Sequence, residues 1–128
     1  MKRTILITGG ILNLLLAVMH IMFWQMLGWP ESLTGTSTDN SAILQIANVI
    51  IIFVLLYFTV MSFILIKDEF KSVSAKSIPV LIAGFYIIRL VLGYPFFGYS
   101  GEELIIWIVC GLIAAGYSAL LFLESPGK

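Results

Sequence analysis

The stretch IPVLIAGFYIIRLVLGYPFF, residues 78–97, decides how this chain folds. It is a run of apolar side chains broken by a single charge, Arg89. At 1.5 Å per residue, about 20 residues in a helix match a bilayer core roughly 30 Å thick. A charged side chain within such a span costs from about 2.5 kcal/mol upward, so Arg89 needs a partner or a task. No Asp or Glu lies inside this stretch or the other apolar stretches of the chain. Arg89 and whatever faces it are therefore the expected functional site.

Working outward, three more stretches of comparable length follow the same pattern: Ile5–Leu27, Ala42–Ile66 and Leu104–Leu123. The whole 128-residue chain is 60% apolar and 11% charged, with mean hydropathy +1.07. A water-soluble domain carries about 25% charged residues, so the solvent for this surface must be lipid. The expected fold is all-α: an integral membrane four-helix bundle, up-down-up-down, forming one transmembrane domain over residues 1–128. Seven basic and seven acidic residues balance to zero net charge, which argues against nucleic acid as a partner. The lone Cys110 can form no intramolecular disulfide and reads as an apolar packing residue.

Ends and orientation follow from the polar residues between the stretches. Ser100 with Glu103 three residues on has capping-box spacing for the fourth helix. Thr38-Asp39-Asn40-Ser41 offers caps for the second, and Ser77 for the third, with Pro79 in its first turn. The first stretch follows Lys2-Arg3 but is too long for a signal h-region and has no small-x-small cleavage site, so it reads as an uncleaved helix. Lys2, Arg3, Lys67, Lys71, Lys76 and Lys128 fall on one side if the spans alternate. The connections 28–41 and 98–103 contain no Lys or Arg and carry Glu31, Asp39, Glu102 and Glu103. The positive-inside rule then expects both termini in the cytoplasm of a bacterium and the chain in the inner membrane. Trp24, Trp29, Tyr94, Tyr99 and Trp107 form the outer aromatic belt. The 28–41 connection reads as a mobile surface segment.

Helices packing in lipid rely on small and polar residues. Gly111 and Ala115, with Ala114 and Ser118 beside them, have small-xxx-small spacing for helix contact, and Gly9 and Gly10 are expected to serve likewise. The costlier polar groups gather toward the outer half. His20 and Gln25 approach that side on the first helix, Gln45 and Asn48 descend from it on the second, and Arg89 lies about 12 Å below it on the third. Asn13, His20 and Trp24 share one helical face, and Tyr86 and Gly93 share that of Arg89. If these faces point inward, they form an outer-half intramembrane pocket. His20 and Asn48 would be its floor, Arg89 its charge, and Trp24, Tyr86 and Tyr94 its aromatic walls, with Gln45 and Gln25 nearby. The plainer readings are interhelical hydrogen bonding for His20, Asn48 and Gln45, and snorkelling of Arg89 toward Glu102 or Glu103.

Other chemistries lack their residues. Thr4-Ile-Leu-Ile-Thr-Gly-Gly10 lacks the third glycine and the acid of a dinucleotide site. One His with one distant Cys makes no metal site, and a bis-His haem would need a dimer. His20 has no carboxylate within the spans to orient it for hydrolysis, so an enzyme is the disfavoured reading and no cofactor is expected.

The layout resembles the small four-helix bacterial membrane proteins grouped as DoxX-like or of unknown function. The likeness rests on size, orientation, the Gln25-Met26-Leu27-Gly28-Trp29 exit from the first helix, and Arg89 followed by Tyr94-Pro95-Phe96. It implies no reaction and no residue role. The expected function is binding of a small amphipathic or anionic ligand, a lipid headgroup or quinone, around Arg89. The alternatives are a transporter or channel subunit with Arg89 in an anion pathway, and a structural accessory subunit in a homo-oligomer or larger membrane complex. Membrane lipid is the expected partner.

Overall fold

A computed structural model describes residues 1–68 and 73–123, with Lys71 and Lys128 outside the described residues. It contains four long helices and, among the described residues, no strand: α1 Lys2–Met26, α2 Thr38–Asp68, α3 Val73–Phe97 and α4 Gly101–Phe122. Each is long and apolar enough to cross a membrane. The expected all-α four-helix bundle of a multi-pass membrane protein is therefore observed.

The helix ends differ from the apolar boundaries where polar residues extend the helix. Ser37, not the Thr38–Ser41 group, caps α2: its Oγ accepts from Asn40 N–H at 3.3 Å. α3 begins upstream of Ser77, so Pro79 lies inside the helix rather than in its first turn. Pro79 and Pro95 each remove one backbone hydrogen bond. Membrane helices tolerate this because neighbouring groups can re-satisfy the backbone. Ser100 does cap α4, accepting from Glu103 N–H at 3.1 Å. The reciprocal half of a capping box is missing, because the Glu103 carboxylate turns to another partner described below. α1 ends where Gly28 adopts φ 62°, which brings Trp29 N–H back to the Trp24 carbonyl at 2.9 Å. The 28–41 connection carries its own order. Glu31–Leu33 form a 3-10 turn, Ser32 Oγ donates to the Leu27 carbonyl at 2.6 Å, and the Trp29 ring meets Trp24 edge-on at 5.8 Å.

Packing follows antiparallel hairpins. As positions fall along α1 from Trp24 to His20 to Gly10, their partners on α2 rise from Gln45 to Asn48 to Thr59. α1 and α2 form one closely packed hairpin and α3 and α4 the other; α1 packs on α4 to join them, more extensively than α2 packs on α3. Leu6, Ala17, Leu55, Phe58, Ile82 and Ile113 fill the centre, while side chains such as Phe53 and Val91 face outward, as lipid-facing residues do.

The small residues divide between these surfaces. Gly9 and Gly10 are contact glycines: a Cβ at Gly9 would lie 2.5 Å from the Tyr117 ring, and one at Gly10 3.3 Å from Phe63 and Ser62. Gly111 and Ala115 do not pack within the bundle as expected. A Cβ at Gly111 would meet nothing within 4 Å and Ala115 is exposed, whereas Ala114 is the buried member.

Orientation is tested by cysteine labelling, because the native thiol of Cys110 is buried. A cysteine at Thr36 should react with an impermeant maleimide on intact cells, and one at Lys67 only after permeabilisation; both positions are exposed. The reverse pattern would invert the expected topology.

Candidate functional site

Arg89 is held by a carboxylate from the start of α4. Its Nη1 donates to Glu103 Oε1 at 2.8 Å and its Nη2 to Oε2 at 3.0 Å, a two-pronged ion pair. Trp107 Nε1 donates to the same Oε1 at 3.0 Å. The guanidinium also lies over the Phe97 ring, 4.9 Å from its centroid. The apolar stretch starts at Leu104, but the helix starts at Gly101, so Glu103 already sits in its first turn and faces α3. Glu103, one of the two acids that the snorkelling reading set beside Arg89, is thus its bonded partner. Of Glu102 and Glu103, Glu103 is the buried one.

Gly93 makes room for this cluster. A Cβ there would stand 2.5 Å from Arg89 Nη1, 2.6 Å from Trp107 Nε1 and 2.7 Å from Glu103 Oε1. The pair is asymmetric: the Arg89 side chain keeps 28% exposure and that of Glu103 keeps 8%. A guanidinium has five N–H donors. Two go to Glu103, leaving three for other acceptors.

The other expected site residues form a second cluster between α1 and α2. His20 Nδ1 and Asn48 Oδ1 are 2.7 Å apart, and Asn48 Nδ2 donates to the His20 carbonyl at 2.9 Å. Because Asn48 Oδ1 can only accept, the proton of that bond sits on His20 Nδ1. One turn outward, Trp24 Nε1 donates to Gln45 Oε1 at 3.2 Å. Each cluster is bonded within its own hairpin. Tyr94 is mostly exposed with its ring 6.3 Å from that of Trp107, and Gln25 is exposed at the end of α1.

Tyr86 is placed elsewhere. It is 2% exposed and its hydroxyl donates to Asn13 Oδ1 at 2.6 Å, so it belongs to the bundle centre rather than to a wall around Arg89. Asn13 in turn donates to the Gly9 carbonyl at 2.8 Å. The Tyr117 hydroxyl shares a short hydrogen bond with Ser62, whose Oγ also reaches the Phe58 carbonyl at 2.6 Å. This pair of contacts, Asn13–Tyr86 and Ser62–Tyr117, touches all four helices and was not singled out from sequence. Its signal was present in Thr59, Ser62 and Tyr117, hydroxyls inside otherwise apolar runs. Polar groups therefore occupy two levels, an outer one and a central one.

A groove of about 250 Å³ opens near the basic end, between α1 and α4, with Tyr117 in its lining. Among the described residues no three His, Cys, Asp or Glu side chains gather to hold a metal ion. The arrangement at Arg89 can offer hydrogen-bond donors beside a neutralised charge. No protein-family model, curated protein or solved structure matches this chain.

Proposed function

We propose that this membrane protein binds the polar head of a small amphipathic molecule, a lipid headgroup or a quinone, at Arg89 on the end away from the Lys-rich connections. The observation behind this reading is the asymmetry of the ion pair: a buried carboxylate neutralises a guanidinium that is still partly exposed. Three N–H donors remain for an oxygen of the ligand, with the indole of Trp107 and the exposed Tyr94 ring beside them. Because Glu103 already balances the charge, a purely anionic ligand would leave one negative charge without a partner in a poorly polarisable site. A carbonyl or a zwitterionic head avoids that cost. The anionic half of the initial expectation is accordingly the weaker one. Kinship with the DoxX-like proteins is likewise a proposal and brings no reaction with it.

The test is thermal unfolding of detergent-purified protein with phosphatidylethanolamine or a short-chain benzoquinone added. The wild type should gain several degrees with one of them, since a ligand at about 100 times its Kd adds roughly 2.7 kcal/mol. Arg89→Lys should retain less of the gain, because Lys lacks the planar fork. The double variant Arg89→Leu/Glu103→Leu, which leaves no charge unpaired, should fold and show none. A gain that survives intact in the double variant, or no gain in the wild type, would overturn this reading.

A further inference from the structure

The groove between α1 and α4 lies at the opposite end from Arg89 and is independent of the reading above. Its α1 wall runs from Thr4 through Thr8 to Leu12, and its α4 wall includes Leu112 and Gly116, with Tyr117 buried behind. The eight helical steps from Thr4 to Leu12 make it about 12 Å long. Half of a roughly 30 Å hydrocarbon core is about 15 Å, so the slot spans most of one leaflet. It runs along helices that cross the membrane, which is also the direction of an acyl chain. The lining is apolar, with the Thr4 and Thr8 hydroxyls on its exposed rim. Left unfilled, such a slot would forfeit dispersion contacts along its length.

The end of the bundle at which the slot lies carries exposed positive charge. Arg3, exposed, directly precedes Thr4, and the same end of the bundle carries exposed Lys67 and Lys76. Among the described residues, Lys2, Arg3, Lys67 and Lys76 stand at that end, with Asp68 at the close of α2. Basic clusters beside membrane helices attract anionic headgroups. We propose that the α1–α4 groove seats one acyl chain of an anionic phospholipid, with its phosphate at Arg3.

Native mass spectrometry of the purified full chain with phosphatidylglycerol or phosphatidylcholine tests this. The wild type should retain phosphatidylglycerol with roughly fivefold preference, the effect of about one favourable basic contact. Thr8→Phe, at an exposed rim position, should fill the slot and cut retention of both lipids. Arg3→Glu should keep phosphatidylcholine and lose the preference. Measured in the Arg89→Leu/Glu103→Leu background, which removes any lipid held at Arg89, Thr8→Phe and Arg3→Glu should have the same effects, so failure at one end is distinguishable from failure at the other. Equal retention of the two lipids by the wild type would overturn the proposal, as would retention unmoved by both Thr8→Phe and Arg3→Glu. A dimer that binds no lipid and is lost on Thr8→Phe would give the groove to a second copy and also overturn it.

Discussion

Glu103→Leu should destabilise the protein by about 3 kcal/mol, more than Arg89→Leu does, although both remove the same ion pair. Breaking a buried pair typically costs about 3–5 kcal/mol because it strands the surviving charge. The lower end applies here because Arg89 is 28% exposed and its guanidinium can reach toward water. A stranded carboxylate can also shed its charge by taking a proton, which a guanidinium cannot do. The double replacement by Leu should recover most of the loss, since two apolar side chains suit this setting. Gly93→Ala should weaken the bundle with both charges present, because its methyl would enter the space shared by Arg89, Trp107 and Glu103. The measurement is a double-mutant cycle on unfolding in detergent. Additive losses from Arg89→Leu and Glu103→Leu would mean that the pair contributes nothing jointly.

Asn13→Leu is the second large effect, expected at about 2 kcal/mol. Asn13 is fully buried, accepts from the Tyr86 hydroxyl and donates to the Gly9 carbonyl. Losing it leaves the buried Tyr86 hydroxyl without its acceptor, which costs roughly 1–3 kcal/mol. Interhelical bonds in membranes tend to the lower part of that range, because the separated helices find other partners. Asn13→Leu combined with Tyr86→Phe should be milder than Asn13→Leu alone, since the phenol that needed the amide is gone. If the double variant loses as much as the two single losses together, Tyr86 does not depend on Asn13.

The number, class and approximate extent of the helices were legible because crossing lipid demands long apolar runs, and nothing else in the chain competes with that signal. The His20–Asn48 and Trp24–Gln45 contacts were legible in part, as costly groups at one depth on adjacent helices. Which way each face points was not. In water, a polar face marks the outside of a helix; in lipid, both faces are apolar. Gly9 and Gly111 carry the same small-residue signal, yet one is packed on Tyr117 and the other faces outward. Tyr86 reads as a wall residue until its hydroxyl is placed. Glu103 was obscured by its position, one residue before the apolar run and therefore counted with the connection, though the helix already contains it.

The distribution of polar bonds also bears on how the chain enters its membrane. His20–Asn48 and Trp24–Gln45 close within the first hairpin, and Arg89–Glu103 within the second. Each hairpin can thus hand its most expensive groups to the bilayer already matched, without waiting for the other half. The bonds Asn13–Tyr86 and Ser62–Tyr117 instead cross from one hairpin to the other, near the middle. They become available only after both hairpins are inserted. Biogenesis then divides into two acts: charge is settled at insertion, and the partnership between the halves is recognised afterwards by neutral hydroxyls and one amide.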